Sequence, residues 1–136
     1  MQKEKILFSP SKIHIDFMDK AFDKICEYYN VKPVIMKSDT RQKPFVFYRQ
    51  CAMKFMYEYI AEPIKVSQTY ISKTYFNRDH STLIYSRQLL DNYRETGDVY
   101  WDEYYSFCKY MIVNYPRINK TINPEDYPTL YPIINN

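Results

Sequence analysis

Residues 77 to 84 read Asn77-Arg78-Asp79-His80-Ser81-Thr82-Leu83-Ile84, a polar and charged run that opens directly onto an apolar-periodic segment. Asp79 is a residue type that caps helix N-termini. Behind it Leu83, Ser86, Leu90 and Tyr93 recur at the spacing of one buried stripe until Gly97 stops the pattern. Just upstream, Ser67 is a candidate N-cap for a short helix to about Tyr75, with Ile71, Thr74 and Tyr75 facing inward. Two short helices joined by so tight a turn form a helix-turn-helix. The turn also sets charged, imidazole and hydroxyl side chains at a helix N-terminus, the place from which such a helix meets a DNA groove.

The rest of the chain reads as helical. Asp16 to Tyr29 puts Met18, Phe22, Ile25 and Tyr29 on one stripe, and Asn30 suits its stop. Lys37 to Pro44 is polar and basic and reads as an exposed loop. From about Phe47 to Ile60, Ala52, Met53, Met56, Tyr59 and Ile60 form an inward face, with Arg49, Gln50 and Lys54 expected to point out, until Glu62-Pro63 interrupts the helix. Tyr100 to Val113 supplies another helix packing through Trp101, Tyr104, Tyr105, Cys108, Met111 and Ile112. Pro116, Pro124, Pro128 and Pro132 preclude its continuation. The expected fold is all-α: a compact helical domain containing a helix-turn-helix over residues 16–113, an N-terminal arm over 1–15, and an irregular Pro/Tyr-rich C-terminal tail over 114–136.

Charge is unevenly spread. Residues 1–30 balance five lysines against five carboxylates, residues 31–90 carry ten Lys/Arg against four Asp/Glu, and residues 91–136 carry four against seven. The basic middle coincides with the helix-turn-helix, and the acidic end is not expected to follow DNA. Cys26, Cys51 and Cys108 are odd in number and widely spaced, which fits structural thiols in a reducing compartment better than a disulfide scaffold or a zinc site. With no apolar run of about 18 residues a membrane span is not expected, and the location read from the sequence is cytoplasmic. A single glycine excludes the Walker A loop and the dinucleotide fingerprint, and His14 and His80 make no metal-spaced cluster. No catalytic residue, metal or cofactor is expected. Tyr28-Tyr29, Tyr57-Tyr59 and Tyr104-Tyr105 could stack single-stranded bases, but their helical spacing assigns them to the core.

In this order along the chain, the motifs resemble the C-terminal DNA-binding domain, domain IV, of the bacterial replication initiator DnaA. Asn77-Arg78-Asp79-His80-Ser81-Thr82-Leu83 resembles the family's Arg-Asp-His signature with its two hydroxyl residues. Tyr48-Arg49-Gln50-Cys51-Ala52-Met53 is similar to its Pro-Arg-Gln-x-Ala-Met helix start, and Arg41 stands where the family has its basic-loop arginine. Ile25 to Val31 is similar to its first helix. Phe76 stands where the family carries the first glycine of the turn, Ser72 where it carries another, and Tyr57 replaces a basic residue that meets phosphate.

The resemblance implies a stand-alone module that binds double-stranded DNA in a sequence-specific way, in replication-origin recognition or transcription regulation. It implies Asp79, His80 and Ser81 at base edges in the major groove, Thr82 on phosphate, and Arg41, with Lys43 beside it, at the adjacent minor groove. Arg49 and Gln50 are implied on the phosphate backbone and Arg78 as positive charge at the mouth of the recognition helix, and Lys54 or Lys65 is the candidate to compensate for Tyr57. These roles suit the side chains, because base edges give specificity and phosphates give affinity. A second reading keeps the fold for a structural or interaction protein, as in a phage. Its protein partner would be anchored by Tyr100-Trp101 and the pairs Tyr115-Pro116, Tyr127-Pro128 and Tyr131-Pro132.

Overall fold

A computed structural model describes residues 10–115, which form six α-helices and, among the described residues, no strand. The expected N-terminal arm over residues 1–9 and the expected irregular tail over residues 116–136 lie outside the described residues. Helix α1 spans Lys12–Tyr29 and α2 spans Pro33–Lys37; α3 spans Phe45–Phe55 and runs on through a π-helical turn, Met56–Ala61, and a 3-10 turn, Glu62–Ile64. Helices α4, Gln68–Phe76, and α5, His80–Thr96, form the helix-turn-helix, and α6 spans Val99–Asn114.

Local chemistry sets most of these ends. Helix α1 opens about a turn before the expected Asp16 because Ser11 caps it, its hydroxyl accepting the His14 N–H at 3.4 Å. It ends at Asn30, which takes the left-handed conformation at φ 56°. Helix α2 lies just before the expected loop and takes in only its first residue, Lys37; Pro33 starts it, its ring pre-setting the first helical φ. Ser67 caps α4, its hydroxyl accepting from the Tyr70 N–H at 3.0 Å, and Gly97 ends α5 at φ 70°. The wide turn at Met56–Ala61 is the way α3 absorbs the approach to Glu62-Pro63.

Most of the expected inward residues form the core, whereas Tyr29, Thr74, Tyr93, Trp101 and Tyr105 are only half-buried at its edge. Met18, Phe22 and Ile25 of α1, the α3 face of Ala52, Met53, Met56, Tyr59 and Ile60, Ile71 and Tyr75 of α4, Leu83, Ser86 and Leu90 of α5, and Tyr104, Cys108, Met111 and Ile112 of α6 are all buried. Phe76 is buried edge-on to Phe22 with ring centroids 5.6 Å apart. Phe55 and Phe107, absent from the expected packing residues, meet at 5.1 Å. Tyr29 of α1 stacks on Tyr48 of α3 with ring centroids 4.4 Å apart. Helix α5 packs most extensively on α3 and then on α4 and α6, which fixes it to three other helices of the fold.

The three cysteines are free and buried. Among the described residues, no helix is long and apolar enough to cross a membrane, and no group of three His, Cys, Asp or Glu is placed to hold a metal ion.

Candidate nucleic-acid interface

The turn between α4 and α5 is built by three consecutive residues. Asn77 adopts the left-handed conformation, φ 53°, that glycine would otherwise supply, and its N–H donates to the Lys73 carbonyl at 3.3 Å while that of Arg78 donates to Ser72 at 3.0 Å. Asp79 is extended, and its carboxylate accepts the Ser81 N–H at 3.0 Å, capping α5. Hydrogen bonds from Ser81, side chain first and then backbone, hold that carboxyl below the usual carboxylate range, with the neighbouring His80 and Lys73 charges adding to them.

This cap aims a polar tip at solvent. Asp79, His80 and Ser81 are exposed and Thr82 is half-buried. The His80 Nδ1 lies 3.6 Å from Asp79 Oδ2, so the two side chains share the helix mouth. One turn further on, Tyr85 is 57% exposed on the same helix. Leu83 and Ser86 are buried beneath it, so α5 presents its N-terminal turn and the Tyr85 edge outward.

Across from this edge lies the loop between α2 and α3. It folds by short-range bonds: the Ser38 hydroxyl donates to the Ile35 carbonyl at 2.8 Å, the Thr40 N–H donates back to that hydroxyl, and the Gln42 N–H donates to the Thr40 hydroxyl. Arg41 and Lys43 are exposed on it. Between the loop and α5 is an open cleft of about 580 Å³, lined by Asp39 and Arg41 of the loop, Arg49 and Gln50 of α3, Arg78 of the turn, and Thr82 and Tyr85 of α5. The structure therefore brings Arg41, Arg49, Gln50, Arg78 and Thr82 to one concavity beside the tip formed by Asp79, His80 and Ser81.

Three arginines and one carboxylate, Asp39, line the cleft, and the arginines are not equivalent. Arg41 is exposed, whereas Arg49, expected to point out, is only 5% exposed. Its guanidinium donates to the carbonyls of Met36 at 3.3 Å and Thr40 at 3.2 Å, with Ser38 at 3.5 Å. Burial, then the charges of Arg78 and Arg41, push its pKa down to about 10, which leaves it charged at neutral pH. Arg78 is half-buried and likewise spends its guanidinium on carbonyls, those of Phe76 at 2.6 Å, Ser38 at 2.7 Å and Met36 at 3.4 Å. Arg49, expected on phosphate, and Arg78, expected as positive charge at the helix mouth, thus both donate to the protein's own backbone.

Lys54 departs furthest from expectation. It is 1% exposed, its Nζ donates to both oxygens of Glu58 and to Asp91 at 3.0 Å, and it lies 5.7 Å from the Tyr104 ring centroid. A lysine closed in among α3, α5 and α6 does not face a phosphate. Next to it Tyr57, in the place of the family's basic residue, lies under the Arg87 guanidinium at 4.9 Å, and Arg87 is itself bonded to Glu58 at 2.7 Å. Tyr85 is the wall residue that sequence reading passed over. Its signal was its place three positions after Thr82 on a helix whose buried stripe leaves it out.

Comparison with known proteins bears on this surface. The family model for the bacterial DnaA protein helix-turn-helix matches residues 18–89, just over half of the chain. The chain is 31% identical over 80 residues to the chromosomal replication initiator protein DnaA of Wolbachia sp. subsp. Brugia malayi (strain TRS), covering 59% of this chain and 16% of that protein. It is 36% identical over 69 residues to the protein of the same name from Jannaschia sp. (strain CCS1), covering 50% of this chain and 14% of that one. The matched region is thus a small fraction of the length of those relatives. No solved structure matches the chain significantly.

Proposed function

Because the chain belongs to the bacterial DnaA helix-turn-helix family, whose domain is a DNA-binding one, we propose that it reads double-stranded DNA in a sequence-specific way, in replication-origin recognition or in transcription regulation at such a site. The observation that carries this reading is the cleft that Thr82 of α5 and Arg41 of the exposed loop both line, with the exposed tip Asp79-His80-Ser81 immediately preceding Thr82. A duplex offers two grooves side by side, and a helix tip with a neighbouring basic loop can enter both at once.

In this proposal the positive end of α5 points at the duplex, and His80 and Ser81 donate or accept at base edges in the major groove. The second oxygen of Asp79 accepts from a base amino group while the first caps the helix. Thr82 and Gln50 hold phosphates along the cleft wall. Arg41, with Lys43 beside it, enters the adjacent minor groove, where a narrow A/T-rich segment draws an arginine in. Arg49 and Arg78 add charge beneath the phosphates while holding the loop, and Lys54 takes no part. The helical unit from α1 to α6 is the binding module. It acts without a cofactor or catalytic group, in the cytoplasm where the genome is accessible to it.

The test is selection from a randomised duplex library with purified protein, followed by anisotropy on the enriched sequences in a salt series. Enrichment of one motif, with affinity falling steeply as salt rises, is the expected result. Binding that is absent, or indifferent to sequence and salt, overturns the reading.

A further inference from the structure

The helix-turn-helix and the Arg41 loop come from separate stretches of chain, and one side chain spans them. Arg78 sits in the turn, immediately before the Asp79 cap. Its Nη1 donates to the Phe76 carbonyl within the same turn at 2.6 Å, and its Nη2 donates to the Ser38 carbonyl at the base of the loop at 2.7 Å, with the Met36 carbonyl 3.4 Å from Nη1. Ser38 is three residues before Arg41, and its hydroxyl organises the turn that carries Arg41 outward.

From this geometry we propose that Arg78 is a positioning residue: it fixes the register between the recognition helix and the Arg41 loop, so that the two are presented at a set separation. The inference rests on the DNA-binding reading above, which gives that separation its use. A planar guanidinium suits the task because its donors diverge in a fixed fork and engage carbonyls on two segments at once. An ammonium carries the same charge on a flexible stem without that fork. Arg49 supports the same loop from α3 through Met36 and Thr40, so loss of Arg78 frees the loop from the turn without releasing it from the body of the fold. The advantage is pre-organisation, since a loop already held in place loses less conformational freedom on binding.

The test uses the full chain with Arg78→Ala and Arg78→Lys, and two readouts. The first is amide hydrogen exchange over residues 37–43 in the free protein. Both variants are expected to speed it about tenfold while exchange in α3 and α6 stays unchanged. The second is a double-mutant cycle with Arg41→Ala on the selected duplex. The losses are expected to be strongly non-additive, because Arg78 acts through Arg41. Unchanged loop exchange, additive losses, or an Arg78→Lys variant that behaves as wild type in both readouts would overturn the proposal, the last by showing that charge alone suffices. If the wild-type protein binds no duplex, the DNA-binding reading fails, and the loop exchange alone then decides whether Arg78 holds the loop.

Discussion

Lys54 of α3 and Asp91 of α5 meet at 3.0 Å, Nζ to Oδ1, within the contact that sets the recognition helix against the core. Glu58 closes the other side of the lysine at 2.9 Å and is held in turn by Arg87 at 2.7 Å. A buried cation in this position is useful only with its partners, since removing one member leaves the others unbalanced in a poor solvent for charge. Lys54→Ala is expected to lower stability by about 2 to 3 kcal/mol, below the roughly 3 to 5 typical of fully buried pairs, because Glu58 keeps Arg87 and Asp91 is half-exposed. Lys54→Met, which fills the same volume, is expected to cost less. Urea denaturation measures both. The salt slope of DNA binding by Lys54→Met should match wild type, and a slope reduced by about one would mean that this lysine meets a phosphate after all.

His80 is half-exposed at the mouth of α5, where a base reader has to be. His80→Ala is expected to reduce discrimination between the selected site and a single-base variant by about 1 to 3 kcal/mol, with little change in binding to random duplex. The comparison is made by competition anisotropy at one fixed salt concentration. Equal losses on both duplexes would contradict base reading by this side chain.

Arg41 and Arg49 should separate cleanly although both line the cleft. Arg41→Ala is expected to reduce the salt slope by about one and to abolish any preference for A/T-rich flanks, with unchanged stability. Arg49→Ala removes bonds to buried carbonyls and is expected to destabilise the fold by about 1.5 to 3 kcal/mol, its effect on DNA following from the displaced loop. Thermal denaturation alongside the salt series distinguishes them, and an Arg49→Ala protein of wild-type stability would refute the anchoring role.

What the sequence made legible was whatever depends on near neighbours. The Asp79 cap, the Ser67 cap, the stop at Gly97 and the left-handed Asn77 each rest on a few consecutive residues, and the apolar stripes follow a simple period. Lys54 was misread because a lysine within a helical pattern ordinarily faces water, and its partner Asp91 lies 37 residues away. The inward turn of the Arg49 and Arg78 guanidinium groups was not legible for another reason. Their acceptors are main-chain carbonyls, and which carbonyls a loop leaves available is decided only by its folded path. Helix α2 did carry a signal in Pro33 after a polar stretch, but five residues are too few to show a period. Tyr85 was passed over because the buried stripe of α5 drew the reading toward the residues that pack.

Asp79 has two tasks, and pH with one substitution tells them apart. Its carboxyl is held below the usual carboxylate range by Ser81, so the folded value lies beneath the unfolded one. Its contribution to stability is therefore complete above the unfolded pKa of about 4 and is lost as pH falls through the lower folded value. The gap in urea midpoint between wild type and Asp79→Ala is expected to be constant from about pH 7 to 5 and to narrow below about pH 4. A gap that widened on acidification would mean that Asp79 is not a charged cap. Asp79→Asn keeps a capping oxygen, and asparagine caps about as well as aspartate, so stability at neutral pH should be nearly retained. The amide, however, adds a donor where the carboxylate only accepted. If the free oxygen of Asp79 reads a cytosine amino group, the selected motif should shift at one position toward a base with an acceptor there, adenine through its N7 being the natural choice. An unchanged motif with unchanged stability would confine Asp79 to the cap and leave base reading to His80 and Ser81.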